Sequence, residues 1–172
     1  MALTLIKETG AGLANANSYA SVADGVAYHE GHLYATAWDN AGAAAQAVAL
    51  VMATRLIDAC YQFGGLRAIA TQALQWPRED CPNPDSADAF PSDEIPATLI
   101  EATCELAREL IVKDLTAAPE GEGLSYLNVG TTQKGFNKSD TPQVITRVVQ
   151  AMLGKLGSMT SAKSGSVKLV RV

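Results

Sequence analysis

The first polar cluster in the chain lies in residues 14–29, ANANSYASVADGVAYH, and contains groups that could do chemistry. Ser18 and His29 have the residue types of a nucleophile and a general base. However, no Gly-x-Ser-x-Gly turn surrounds Ser18, and no acidic residue stands at a spacing that would orient His29. Ser21 and Asp24 have the spacing of a capping box. We therefore interpret the cluster as the start of a helix and predict no active site in it.

A second candidate is a row of carboxylates, Glu101, Glu105 and Glu109, spaced four residues apart on a predicted helix. Such a row could hold a divalent cation. Arg108 and Lys113 intersperse it, which favours a solvated helix face instead. The sequence has no Walker A loop, no G-x-G-x-x-G and no H-E-x-x-H motif. We expect a protein that is not an enzyme and that binds no metal or cofactor.

The composition fits a helical protein with a substantial core. The 172 residues are 48% hydrophobic and 18% charged, and alanine is abundant. Three cysteines, Cys60, Cys81 and Cys104, form no C-x-x-C pair, which indicates reduced thiols in a cytosol-like compartment. The first residues lack the features of a secretory signal. No run approaches about 18 apolar residues, so we expect no membrane span.

Apolar periodicity predicts four helices in a mainly α fold, a small helical bundle with a short β-strand or hairpin element and an extended C-terminal tail. Their predicted ranges are 21–30, 40–62, 95–115 and 141–156. The third has an apolar face wide enough for contacts on two sides, within the core or with another subunit. Weak alternation over 124–136 predicts the strand or hairpin. We divide the chain into a helical core domain (1–118), a hairpin-plus-helix region (119–156) and a linker with a terminal strand (157–172).

Charge is distributed unevenly along the chain. Residues 1–133 contain six Lys/Arg against 17 Asp/Glu (net −11), whereas residues 134–172 contain seven against one (net +6). The basic segment either meets a different partner or simply aids solubility. Single-strand binders combine a basic groove with exposed aromatic rings. Here, the basic segment contains Phe136 as its one aromatic residue, and the others lie in the acidic part.

The chain ends in a segment of high strand propensity, Val167, Lys168, Leu169, Val170, Arg171 and Val172. A strand of six residues is not stable alone and must join a sheet. It can add to a sheet of another protein, or it can fold back beside the strand predicted at 124–134. The residues before it, 157–165, have the composition of a flexible linker.

Five motifs in order, ANSYASVADGVAYH, ALVMATRLIDA, QALQWPRED, IPATLIEATCELA and GSVKLVRV, resemble a family of tailed-bacteriophage proteins, the head–tail connectors or adaptors. This family is often labelled as DnaT-like single-stranded-DNA-binding proteins. The resemblance covers nearly the whole chain. It is weakest in the acidic loop, residues 79–94, which departs from the family.

The resemblance implies a virion structural protein. Twelve copies would form a ring beneath the portal protein, extend a channel through which DNA passes without sequence-specific binding, and offer a platform to a downstream neck or tail-completion protein. The implied location is the capsid–tail neck of the virion, after assembly in the host cytoplasm, with no membrane contact. By the same resemblance, Val167–Val172 would dock on the portal.

The resemblance also points to residues that form either a subunit interface or the core. Trp76, Pro77 and Arg78 match a W-P-R motif of the family, and Trp76 either packs its loop onto the helices or contacts a neighbouring subunit. Ile100, Ala107 and Ile111 on the third helix have the same two interpretations. The alternative function is that of an accessory protein of replication that binds single-stranded DNA.

Overall fold

The computed structural model describes residues 3–117 and 143–160, together with the backbone of two strands between them. The elements in chain order are α1 (Val22–Glu30), α2 (Thr36–Cys60), β1 (Tyr61–Phe63), β2 (Leu66–Arg67), β3 (Arg78–Glu79), α3 (Ala97–Val112), β4 (Tyr126–Val129), β5 (Thr132–Gly135), α4 (Arg147–Leu153) and β6 (Gly157–Met159). The predicted fold class, mainly helical with short strands, is confirmed.

Helix α1 begins at the predicted capping box. The Asp24 amide donates to the Ser21 hydroxyl (3.2 Å), and the Ser21 amide donates to the Asp24 carboxylate (2.7 Å). These two bonds satisfy amide groups that a helix start leaves without partners. The helix ends at Glu30 and is capped by Gly31, as the sequence predicts.

Helix α2 begins earlier and ends sooner than the predicted range of 40–62. It contains a break at Gly42, whose φ of 72° is readily adopted only by glycine. The turn before the break places Trp38 in the core. The helix ends at Cys60 rather than at the glycine pair Gly64–Gly65, because Tyr61 and Phe63 are buried on alternate positions of a strand.

Helix α3 lies at the centre of the fold and contacts α1, α2 and α4. The wide apolar face predicted for it is confirmed, and other helices of the same chain cover it. Seven of its residues are buried: Leu99, Ala102, Thr103, Cys104, Glu105, Leu106 and Ala107. By length and composition, α2 could cross a membrane, contrary to the prediction of no membrane span, but it packs on α3 inside the fold.

Among the described residues, three pairs of short antiparallel strands complete the fold. The predicted hairpin is present as β4 and β5, with Val129 opposite Thr132. Strand β6 pairs with β1, with Gly157 opposite Phe63, so the linker predicted to begin at residue 157 is wrong for Gly157–Met159. A side chain at position 157 would collide with the Gln62 carbonyl, because a Cβ there would lie 2.3 Å from that oxygen. Helix α4 is shorter than its predicted range, and the division into three regions stays a prediction.

Candidate functional site

The polar residues of segment 14–29 serve to fix the backbone. The Asn17 side chain accepts from the Ile6 amide (2.8 Å) and donates to the Thr4 carbonyl (2.9 Å). The Ser18 hydroxyl donates to the Ala20 carbonyl (2.7 Å). Partial burial alone would raise the pKa of Asp24, but hydrogen bonds from Lys7 and Ser21 outweigh it and hold this pKa below its usual value. The interpretation of this segment as a helix start is therefore confirmed.

The phenol of Tyr19 ties the N-terminal segment to the loop that carries Trp76. Its hydroxyl donates to an Asp58 carboxylate oxygen (2.5 Å) and accepts from the amides of Gln75 (3.1 Å) and Trp76 (3.2 Å). Burial raises the pKa of Asp58 to about 6, and burial followed by the nearby carboxylate raises the pKa of Tyr19 well above its usual value. The phenol therefore remains a hydrogen-bond donor throughout the physiological pH range.

The W-P-R residues belong to the core. Trp76 is fully buried between the rings of Phe63 and Phe90, which matches the core interpretation of this residue. The Arg78 guanidinium donates to the carbonyls of Gly64 (2.5 Å) and Gly65 (2.7 Å), so it fixes the turn between β1 and β2.

The remaining interface candidates all lie on α3. Ala107 is buried, and Ile100 and Ile111 are half-buried beside the core. The predicted docking residues Val167–Val172 lie outside the described residues.

The most developed polar constellation lies under the loop between α1 and α2. Glu105 is only 3% exposed and contacts the guanidinium of Arg108 (2.5 Å), the His32 ring nitrogen Nε2 (3.5 Å) and the Tyr28 hydroxyl (3.5 Å). We call Tyr28, His32, Glu105 and Arg108 the buried-charge cluster. Glu101 is exposed, as predicted, but the solvated-face interpretation is wrong for Glu105, because α1 and the following loop cover that part of α3.

Burial and charge set the protonation of this region. Burial, followed by the Glu105 charge, raises the pKa of Tyr28 to about 12. The hydrogen bond that Arg108 donates to Glu105 raises the pKa of Arg108. Burial lowers the pKa of His29, whose Nε2 lies 3.2 Å from the Cys104 carbonyl oxygen. Because a carbonyl only accepts, the neutral His29 ring must carry its proton on Nε2. Within the described part of the chain, no group of three or more His, Cys, Asp or Glu side chains has the geometry of a metal site.

The buried-charge cluster positions an exposed aromatic ring. The Tyr34 amide donates to His32 Nδ1 (3.1 Å), and His32 in turn contacts Glu105. Tyr34 is 71% exposed and its neighbour Leu33 is 84% exposed. Of the aromatic side chains in residues 3–117 and 143–160, Tyr34 alone is mostly exposed. Sequence reasoning missed this distinction, because exposure of one tyrosine among several has no local signal.

Most cations of the acidic part are already engaged. Lys7 pairs with Asp24, Arg108 pairs with Glu105, and Arg67 donates to the Leu74 carbonyl. Three exposed cations form neither an ion pair nor a side-chain hydrogen bond with any other described residue: Arg55, Lys113 and Arg147.

Helix α3 connects the Tyr34 loop with the start of α4, which lies in the basic segment. His32 contacts Glu105, and one helical turn further on, about 6 Å along the axis, Glu109 lies beside the hydroxyl of Thr146. Arg147 follows Thr146 at the start of α4. The exposed aromatic ring and the described part of the basic segment, far apart in sequence, are therefore attached to neighbouring turns of one helix.

Comparison with known proteins gives one match. The model of a family described as "Putative DnaT-like ssDNA binding protein" matches residues 3–172. No curated protein matches the chain, and no solved structure does.

The family match overturns the assignment to the head–tail connectors. The predicted twelve-membered ring, the portal and neck partners and the channel that DNA crosses without binding depended on that assignment, and these predictions are wrong as well. The shared motifs could not support that assignment, because their residues build the core: Trp76 is buried and ALVMATRLIDA lies on α2. A core motif fixes a fold and leaves the mode of assembly open. With all but its first two residues matched, the chain belongs to the family of DnaT-like single-stranded-DNA-binding proteins.

Proposed function

We propose that this protein binds single-stranded DNA, and that it acts by binding rather than by catalysis. The observation that carries the proposal is the family match over residues 3–172. Single-strand binders need cations that follow the phosphates and aromatic rings on which bases stack. The chain has both features, cations in its C-terminal part and an exposed aromatic ring at Tyr34.

The cations would come mainly from the C-terminal part. Residues 134–172 have a net charge of +6, and Arg147 on α4 is an exposed member of this set. Because residues 1–133 have a net charge of −11, the acidic part repels the phosphates and opposes binding. We therefore expect micromolar affinity with a strong dependence on salt, as for other binding that rests on phosphate contacts.

Tyr34 would provide the stacking surface. It is mostly exposed, and the hydrogen bond from its amide to His32 fixes the backbone of its loop. A ring held in place before binding loses less conformational freedom when a base stacks on it. Glu30 and Asp39 line a cleft of about 310 Å³ that also includes the neighbouring Leu33. Their carboxylates would repel phosphates from this side of the Tyr34 loop.

Fluorescence anisotropy with a labelled oligothymidylate of about 20 nucleotides tests the proposal across a salt series. Lys168→Gln combined with Arg171→Gln should reduce the slope of log K against log[salt] by about 1.4, since each phosphate contact to a single strand contributes about 0.7. Arg55→Gln combined with Lys113→Gln removes the same two residue types from the acidic part and should leave the slope nearly unchanged. If the natural protein shows no salt-dependent binding at about 100 μM in low salt, the proposal is wrong.

The predicted location, the capsid–tail neck after assembly in the host cytoplasm, has not been tested and stays a prediction. It depended on the connector assignment, and single-strand binding does not require it.

A further inference from the structure

The acidic loop, residues 79–94, carries six carboxylates and no lysine or arginine. Such a density of negative charge on one exposed segment resembles a stretch of phosphate backbone in its electrostatics. Its position in the fold therefore decides which cations it can neutralise.

The structure fixes this loop beside the turn between α4 and β6. Cys81, near its start, is fully buried, and its thiol lies 3.8 Å from the Leu156 carbonyl oxygen. The Phe90 amide donates to the Cys81 carbonyl (2.9 Å), and the Phe90 ring packs against Trp76. The Cys81 anchor therefore places the exposed residues that follow it beside the turn between α4 and β6.

One contact joins the acidic loop to the basic segment directly. Lys155 Nζ lies 2.5 Å from a carboxylate oxygen of Asp85, and the side chains are 58% and 64% exposed. Exposed ion pairs of this kind contribute little to stability and are easily exchanged for other partners. A phosphate that approaches Lys155 would compete with the Asp85 carboxylate for the same ammonium group.

We propose that the acidic loop is an internal competitor for single-stranded DNA. It occupies Lys155 through Asp85 when no DNA is bound, Asp88 adds to its field, and the DNA backbone displaces it on binding. This inference rests on the proposed function. The loop sets a threshold: weakly held strands do not displace it, and strands with many phosphate contacts do.

The proposal has a thermodynamic signature. In the natural protein, a phosphate that replaces Asp85 on Lys155 exchanges one ion pair for another. Lys155 then contacts the phosphate, which releases a counterion from the DNA, while the freed Asp85 carboxylate takes up a counterion. The net release of counterions is therefore small. Without the competing carboxylates, the same contact releases a counterion in full. Neutralising the loop should therefore raise the affinity and also steepen its dependence on salt.

Anisotropy titrations with oligothymidylate test this with Asp85→Asn combined with Asp88→Asn. We expect affinity three- to ten-fold higher at about 50 mM salt and a slope steeper by about 0.7. Asp114→Asn combined with Glu101→Gln is the matched control, since it removes two exposed carboxylates that lie outside the acidic loop and away from Tyr34. The control should change affinity by less than about twofold and leave the slope unchanged. Equal effects of the two pairs would overturn the proposal, because they would reflect net charge alone.

Lys155→Gln supplies a second measurement. It should lower affinity by less than about twofold in the natural sequence, where Asp85 already holds Lys155, and by about two- to five-fold when Asp85 and Asp88 are neutralised. The same loss in both backgrounds would show that the loop does not compete for Lys155. If neither the natural protein nor the variant with the neutralised loop binds DNA, single-strand binding itself is refuted. Binding by the natural protein with no response to the loop substitutions would refute only the competitor.

Discussion

The hydroxyl of Tyr19 lies 2.5 Å from a carboxylate oxygen of Asp58, and the two residues are 39 positions apart in sequence. The same hydroxyl accepts from the amides of Gln75 and Trp76, and the second oxygen of Asp58 also accepts from the Gln75 amide (3.1 Å). Two side chains thus join three separate segments: the turn before α1, the C-terminal half of α2 and the loop before β3.

We expect Tyr19→Phe to lower the free energy of unfolding by about 2–4 kcal/mol. The change leaves a buried amide and a carboxylate without their shared partner, and unsatisfied buried groups are costly. Urea unfolding at neutral pH measures the loss. Tyr61→Phe is the control, since its hydroxyl makes a single bond to the Gln150 carbonyl (3.2 Å) and should cost about 1 kcal/mol. Equal losses in the two variants would contradict the role assigned to Tyr19.

The raised pKa of Asp58 predicts a specific pH dependence. With a pKa of about 6 in the folded protein and about 3.9 when unfolded, the folded state binds a proton more readily. Asp58 therefore contributes stability as pH falls from above 6 to below 4, by up to about 3 kcal/mol. This contribution is lost as pH rises through 6.

Asp58→Asn isolates that contribution from the other acidic groups. The variant should be less stable throughout, because its amide nitrogen would face the Gln75 amide. Urea unfolding at several pH values should show that its free energy of unfolding falls further below that of the natural protein as the pH is lowered from 6.5 to 4. A deficit that stays constant over this range would contradict the raised pKa.

Glu105→Gln should destabilise the protein by about 2 kcal/mol or more, because Arg108 would lose the carboxylate that neutralises it. The substitution also weakens the contact to His32, so hydrogen exchange in residues 31–35 should accelerate. Glu101→Gln, one turn earlier and exposed, should change stability by less than about 0.5 kcal/mol. Urea unfolding and hydrogen exchange measured on both variants test this prediction. Equal effects of the two substitutions would contradict the role assigned to Glu105.

Tyr34→Ala should weaken binding to oligothymidylate by about five- to 100-fold, the range expected when one stacked base loses its aromatic partner. Stability should change little, because the side chain is 71% exposed. Leu33→Ala removes a neighbouring side chain that is 84% exposed and has no aromatic ring, so its effect on affinity should be small. A comparable loss in both variants would indicate a general surface effect rather than stacking.

Gly25→Ala should cost about 1–3 kcal/mol, because a Cβ atom there would lie 2.3 Å from the fully buried ring of Trp38. Gly31→Ala is the control, since the nearest atom to its added Cβ is the Tyr28 carbonyl oxygen at 3.9 Å. Thermal unfolding of the two variants should differ in midpoint by several degrees. Similar midpoints would contradict tight packing of α1 on Trp38.

Local chemistry explains which predictions from sequence succeeded. The capping box of Ser21 and Asp24 acts within three residues, and the apolar stripe of α3 repeats with the helical period, so both are visible without a structure. The break at Gly42 was not predicted, because a glycine inside an apolar helical pattern is equally compatible with a continuous helix. Strand β6 has the composition of a linker and is not predicted from sequence, because its three residues gain their partner from β1, almost 100 positions earlier.

By itself, the sequence determined the four amphipathic helices, the hairpin, the division of charge between the two parts of the chain and the motifs of the family. These properties depend on neighbouring residues or on composition. Only the tertiary structure decided that Glu105 is buried on Arg108, that Tyr34 is exposed above it and that Asp85 reaches Lys155. The physical reason is that burial and pairing depend on which distant elements cover a side chain, and residue spacing along one element does not contain that information.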